Sequence, residues 1–184
     1  MIHNNCELFP ILKTDRLTLR KPATGDSAAI FALRADPSVN QYLDRQPCLS
    51  IENATSFILN INKSIENSDA FYWAIMSNLT GKLIGTICLF NFSMDKFTAE
   101  IGYELLPDFH GKGLMREAVS IVIEFGFQQL QLSSITAITH SENHRSIKLL
   151  ETFNFSKLPN AKEMDEHLIR FELADSKPKI TVKR

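Results

Sequence analysis

Residues 99–118 read AEIGYELLPDFHGKGLMREA and carry the pattern that decides the fold. Apolar and polar residues alternate up to Leu106, which is typical of a half-buried strand. A short loop follows, with Gly111 and Gly113 on either side of Lys112, and a helix is predicted directly after it. The first N–H groups of a helix are unpaired and lie at the positive end of its dipole, so the loop predicts a phosphate site.

Two glycines before a helix also occur in ordinary tight turns, and that alternative stays open at this point. The loop matches neither the GxxxxGK[ST] phosphate-binding motif nor the GxGxxG dinucleotide motif. The pattern therefore predicts an anion-binding loop without identifying the ligand.

Strands are predicted on both sides of this helix. Phe71–Met76 and Leu83–Phe90 are rich in β-branched and aromatic residues and are joined by a hairpin turn. Thr98–Leu106 continues them as a third antiparallel strand. Ile135–Thr139 follows the helix, so the segment from 98 to 139 is predicted to form one parallel βαβ unit.

The flanking segments complete the order of elements. Asp26 and Ser50 are predicted to cap two helices, because each precedes apolar residues at helical spacing. The elements predicted there are a strand at 16–20, helices at 26–36, 50–67 and 143–153, and a strand at 167–173. The fold class is therefore α/β of the mixed α+β kind: one mostly antiparallel sheet of about six to seven strands, with helices on both faces.

Length and composition predict one domain, 1–184, with a polar tail at 175–184 in which 180–182 is an alternative edge strand. Twenty basic and 21 acidic residues leave a net charge of −1, so we expect no nucleic-acid or membrane partner. The three cysteines, Cys6, Cys48 and Cys88, have neither disulfide nor zinc spacing. With no signal-peptide pattern at the start, these features predict a cytoplasmic protein; a homodimer stays an open alternative.

Several motifs occur in the order seen in one family. They are TDRLTLR at 14–20, EIGY at 100–103, the loop from Pro107 to Met115, NHRS at 143–146, and LLE with FNF at 149–155. The chain thereby resembles the GNAT N-acetyltransferases, in particular the branch with the ribosomal-protein N-terminal acetyltransferases. The resemblance covers about 12–173. Two departures are Leu150, where many relatives carry a tyrosine that protonates the thiolate, and Asn154, which replaces a glycine.

The resemblance implies acetyl-CoA as cosubstrate, no metal, and a V-shaped gap between the strand before the loop and the strand after the helix. It places the pantetheine arm on the free strand edge at Leu105 and Leu106, where a backbone N–H would polarise the thioester carbonyl. Asn143 and Ser146 would face the pantetheine and the sulfur. The diphosphate would bind the loop formed by His110, Gly111, Lys112, Gly113, Leu114 and Met115.

Direct attack by an amine needs a group that accepts a proton. Glu100 and Glu104 share one face of the predicted strand, with Gly102 between them, and we expect Glu100 to be the base and Glu104 the second choice. A solvent-facing or ion-paired carboxylate is the competing interpretation. Since Leu150 has no proton to give, Ser146 is the candidate acid for the thiolate; its alternative is a small residue that allows close packing.

The predicted activity is transfer of the acetyl group of acetyl-CoA to a primary amine, on a protein N-terminus or a small molecule, in one ternary complex. The alternative is a non-catalytic module that binds acyl-CoA, and a third is a nucleotide-phosphate binder. Cys88 and the aromatic cluster at 71–73 are expected in the core, although one ring of the cluster is an alternative lining for the acceptor pocket. The spacing of His110, His140 and His144 fits no metal site.

Overall fold

The computed structural model describes residues 9–93, 95, 97–159 and 165–175. Cys6 and the segment 180–182 lie outside the described residues. The helices are α1 (Ser27–Ala35), α2 (Pro37–Asn40), α3 (Ile51–Glu66), α4 (Leu114–Gln128) and α5 (His144–Thr152). The strands are β1 (Leu12–Lys13), β2 (Leu17–Arg20), β3 (Phe71–Ser77), β4 (Leu83–Ser93), β5 (Thr98–Leu105), β6 (Ser134–His140), β7 (Ser156–Lys157) and β8 (Leu168–Ala174).

The eight strands found in the described residues form one sheet in the order β1-β2-β3-β4-β5-β6-β8-β7. Every neighbouring pair is antiparallel except β5 and β6, which are parallel because α4 connects them. The mixed, mostly antiparallel sheet with helices on both faces is thus confirmed. The expected six to seven strands become eight because two-residue strands, β1 and β7, extend the edges, and such short pairings carry no sequence period.

Helices cover both faces of the sheet, and β3 shows how. Trp73 and Ile75 pack in the large core that contains α4, whereas Ala74 packs with Ile30 of α1 and Ile58 of α3. Successive residues of a strand point to opposite faces, so the two clusters lie on opposite sides of the sheet. In the described part of the chain, no helix has the length and apolar character needed to cross a membrane.

Two predicted caps have different outcomes. Ser50 caps α3 as expected, since its side chain accepts a hydrogen bond from the Asn53 N–H. Asp26 occupies the position before α1, but its carboxylate binds the Arg20 guanidinium at 2.7 Å and the Ala23 N–H at 2.8 Å instead. The prediction that Asp26 caps the helix is wrong because the arginine on β2 competes for the same oxygens.

The feature that creates the site is an early end to one ladder. β5 and β6 pair only over Thr98–Glu100 and Ser134–Thr136. β5 then runs on to Leu105 next to β4, and β6 runs on to His140 next to β8. The two strands therefore diverge, and we call the gap between 101–105 and 137–140 the wedge.

Candidate active site

The open edge of β5 forms one wall of the wedge. Leu106 donates its N–H to Ile84 on β4 at 2.9 Å, so the backbone groups of Leu105 point the other way, into the wedge. The same alternation turns the backbone of Tyr103 toward the wedge, as it turns that of Ala99 toward β6, where its carbonyl accepts from Thr136. Of the two leucines predicted to hold pantetheine, only Leu105 presents its amide to the gap.

The predicted anion-binding loop closes one end of the wedge. Gly111 and Gly113 have φ angles of +73° and +74°, a left-handed conformation that favours glycine. An added Cβ on Gly111 would meet no atom within 4 Å, so this position requires glycine for its backbone angle and not for space. Gly113 is the residue before α4, and the first N–H groups of that helix, from Leu114 and Met115, open on the loop.

His110 connects this loop to both walls of the wedge. Its Nε2 lies 2.8 Å from the Leu105 carbonyl and its Nδ1 lies 2.9 Å from Nη1 of Arg145 on α5. A carbonyl only accepts and a guanidinium only donates, so both contacts are satisfied when Nε2 carries the proton and the ring is neutral. His110 therefore serves to hold the loop, and its imidazole is already engaged.

The start of α5 forms the other wall. Asn143 is the N-cap of this helix and its side-chain oxygen accepts from the Ser146 N–H at 3.1 Å, which leaves its amide NH₂ as a donor. The Ser146 hydroxyl lies 2.9 Å from the Tyr103 hydroxyl, so the two side chains join α5 to β5. Burial raises the pKa of Tyr103 to about 12, and its phenol stays protonated at neutral pH.

Leu150 is fully buried in the core beneath α5, and its side chain has no proton to donate. A phenol lies on the facing strand, where Tyr103 of β5 is hydrogen-bonded to Ser146 of α5. Sequence reasoning missed Tyr103; the available signal was its period-two position on the face opposite Glu100. Asn154, which replaces a glycine of the family pattern, has a φ of +61°, a left-handed conformation that asparagine also adopts.

Glu100 lies on the other face of β5, where the ladder with β6 ends. It is half-buried and accepts a hydrogen bond from the Asn91 side chain at 3.2 Å. Burial raises its pKa, while Asn91 and the charge of Arg170 on β8 act in the opposite direction. A carboxylate with a raised pKa at the apex of the wedge suits proton transfer.

Glu104 lies on the same face of β5, but its negative charge is already matched by two arginines. Its carboxylate lies 2.6 Å from Arg45 and 3.6 Å from Arg34, and it accepts from Thr86. Its side chain is only 8% exposed. The competing interpretation, an ion-paired structural carboxylate, fits Glu104.

Other predicted residues surround the site. Trp73 and Tyr72 are both buried as expected, and Tyr72, on the same side of the sheet as Glu104, donates to Thr86 at 2.9 Å. Cys88 is half-buried against Gly102, and burial raises the pKa of its thiol to about 12, so it stays protonated. An added Cβ on Gly102 would lie 3.3 Å from Cys88 Sγ, so the space expected above this glycine is already partly filled.

His140, at the end of β6, packs against two aromatic rings. His140 stacks on His167 with ring centroids 5.7 Å apart and lies near Tyr42 at 5.5 Å. Among the residues that the structure describes, no three His, Cys, Asp or Glu side chains form a group that could hold a metal ion.

Comparisons with known proteins agree with this geometry. A family model described as "Acetyltransferase (GNAT) domain" matches residues 16–156. The uncharacterized N-acetyltransferase YoaA of Bacillus subtilis strain 168 is 37% identical over 150 residues, which cover 82% of this chain and 85% of that protein.

Two solved structures share the fold. A ribosomal L7/L12 alpha-N-protein acetyltransferase in complex with coenzyme A superposes with a TM-score of 0.80 at 17% identity, over 91% of this chain and 98% of that one. The microcin C7 self-immunity acetyltransferase MccE, in complex with acetyl-CoA and AMP, gives 0.78 at 20% identity, over 88% and 94%. At these identities the likeness concerns the fold alone.

Proposed function

This chain belongs to the GNAT acetyltransferase family, and from that premise we propose that it transfers the acetyl group of acetyl-CoA to a primary amine by direct attack in a ternary complex. Membership of this family shows that the chain is an acetyl-CoA-dependent acetyltransferase. The ternary mechanism and the roles of individual residues are the proposal. The observation that carries it is the wedge, because it leaves the Leu105 amide facing a gap that ends at an anion-binding loop.

The residues of the wedge fit coenzyme A from end to end. The glycine loop and the first amides of α4 suit a diphosphate, since backbone N–H groups at a helix N-terminus bind anions. The open edge of β5 offers hydrogen bonds to the amides of pantetheine, and the NH₂ of Asn143 is available from the facing helix. The thioester of the bound cosubstrate supplies the activated acetyl group.

Leu105 would bind the thioester carbonyl oxygen through its N–H and stabilise the negative charge that develops there. An oriented donor of this kind lowers a barrier by about 3 kcal/mol. The donor is oriented in advance because β4 holds the neighbouring Leu106 amide and His110 holds the Leu105 carbonyl.

Glu100 would accept the proton that the amine must lose, directly or through one water molecule. Its pKa is raised by burial, which makes the carboxylate a better proton acceptor than an exposed glutamate. Exposed Ile138 of β6 and Arg170 of β8 lie on the same face of the sheet, and the amine acceptor would approach from there.

Ser146 would protonate the departing thiolate, with Tyr103 behind it. The two hydroxyl groups are hydrogen-bonded at 2.9 Å, so a proton given by Ser146 can be replaced from Tyr103. This pair provides from β5 and α5 together what Leu150 cannot provide.

Two classes of amine acceptor are candidates, namely a protein N-terminus and a small-molecule amine. The test mixes the purified chain with acetyl-CoA and a panel of both, and measures free thiol together with acetylated product. Release of thiol with product for at least one acceptor is expected. Tight coenzyme A binding without turnover on any acceptor would instead favour a module that only binds acyl-CoA.

A further inference from the structure

A cluster of hydrogen bonds ties the turn between β1 and β2 to the anion-binding loop. Glu117, in the first turn of α4, accepts from Arg16 Nε at 2.6 Å and from the Arg16 backbone N–H at 3.0 Å, and it also binds the Thr14 hydroxyl. With its remaining Nη1, Arg16 donates to the carbonyl of Lys112 at 2.9 Å. One guanidinium thus holds the helix and the loop together.

The contact with Lys112 fixes the orientation of one peptide group. In a trans peptide the carbonyl of one residue and the N–H of the next point in opposite directions. Arg16 holds the Lys112 carbonyl toward the β1–β2 turn, so the Gly113 N–H points to the opposite side. Arg16 Nη2 also lies only 3.6 Å from where a Cβ on Gly113 would stand, which places the guanidinium directly against this residue.

We propose that Arg16 is a positioning residue for the diphosphate of coenzyme A, which aims the Gly113 amide at that group by holding the Lys112 carbonyl. This inference rests on the proposed function, because it assumes that the loop binds coenzyme A. It assigns a role to the TDRLTLR motif, which lies far from the loop in sequence.

Arg16 acts here through geometry more than through charge. Its positive charge is already matched by Glu117, because Nε and Nη2 of the guanidinium both contact Oε2 of that carboxylate at 2.6 Å. The Arg16 side chain is 51% exposed, and exposed ion pairs contribute little to folding. Removing it should therefore disturb the loop more than the stability of the domain. A lysine keeps the charge but lacks the planar fork that reaches Glu117 and Lys112 at once.

The experiment measures coenzyme A binding by titration calorimetry and thermal unfolding without ligand. The variants are Arg16→Ala, Arg16→Lys and Glu117→Gln. The matched control is Lys21→Ala, because this substitution also removes one positive charge from an ion pair, here the pair with Glu66. We expect Kd to rise about tenfold for both Arg16 variants, because a lost charge-assisted hydrogen bond misaligns the amide.

Glu117→Gln should raise Kd several-fold, as Arg16 stays but loses its anionic partner, and Lys21→Ala should bind like the wild type. In turnover assays the loss should fall on KM for acetyl-CoA and not on kcat. Wild-type affinity in Arg16→Lys would overturn the inference, because charge alone would then suffice. Unchanged affinity in Arg16→Ala would also overturn it. A wild-type chain that binds no coenzyme A would overturn the proposed function as well.

Discussion

At the scale of single residues, the role of Glu100 can be tested directly. Glu100→Gln should lower kcat/KM about 100-fold near neutral pH, as expected for loss of a general base. Burial raises the pKa of Glu100, so the wild-type rate should rise as pH increases through that raised value, where the carboxylate ionises. The variant should lack this limb of the pH profile.

The matched control is Glu124→Gln, which removes a carboxylate from the exposed face of α4. Its rate should equal that of the wild type. A Glu100→Gln enzyme with an unchanged rate at every pH would exclude Glu100 as the base and leave the proton to water.

The hydroxyl pair makes a second prediction at this scale. Ser146→Ala should reduce kcat about 100-fold and Tyr103→Phe about tenfold, because the first removes the donor and the second its source of protons. Kinetics of the double variant should match Ser146→Ala alone, since the two groups act in one chain. Losses that multiply would show that the hydroxyls act independently.

Sequence reasoning reached some of these residues and missed others for a physical reason. Glu100 could be named because strand period is a local property, whereas Ser146 was named through the family resemblance. Tyr103 could not be paired with Ser146, since their contact depends on how far α5 leans toward β5. The same holds for Arg34 and Arg45, because their approach to Glu104 depends on how α1 and the chain after it lie against the sheet.

At the scale of elements, the group around Glu104 joins α1 and the following loop to β5. Glu104→Ala should lower the free energy of unfolding by about 3 kcal/mol, because it leaves two partly buried arginines without their counter-charge. Urea denaturation measures this change. Glu66→Ala, which breaks an exposed pair with Lys21, should cost less than about 1 kcal/mol. An equally small change for Glu104→Ala would contradict a buried structural role.

The order and kind of the main elements could be predicted because they depend on local periodicity. The prediction of a parallel β5-α4-β6 unit was correct for this reason. Where the β5–β6 ladder stops has no local signal, because it depends on how the two strands twist on different neighbours. The wedge was predicted from the family resemblance. Neither local periodicity nor the resemblance predicted the edge strands β1 and β7.

At the scale of the whole molecule, the ion-paired carboxylates predict how stability depends on pH. Burial raises the pKa of Asp26, but the hydrogen bonds from Arg20 and the Ala23 N–H, together with the charge of Arg20, outweigh it and lower that pKa from 3.8. For Glu117, burial is likewise outweighed by the hydrogen bonds from Thr14 and Arg16 and by the charge of Arg16, which lower its pKa from 4.5. A lowered pKa in the folded state gives stability that is present above the unfolded value and is lost as pH falls through the folded one.

We therefore expect the contribution of these two carboxylates to the free energy of unfolding to be flat from pH 7 to about 5 and to fall below pH 4.5, the ordinary value for Glu117. Urea titrations at several pH values measure the slope. The slope should be shallower in Asp26→Asn, which no longer takes up that proton on unfolding. An identical slope in the variant would show that Asp26 makes no such contribution.

The short ladder between β5 and β6 also has a mechanical consequence. Within the sheet, only three residue pairs join the half-sheet β1–β5 to the half-sheet β6–β8 in the residues that the structure describes. A molecule bound in the wedge would contact both half-sheets and restrain the motion of one against the other. Amide hydrogen exchange at 137–140 should then slow when coenzyme A is added, while exchange in β3, far from the wedge, stays the same.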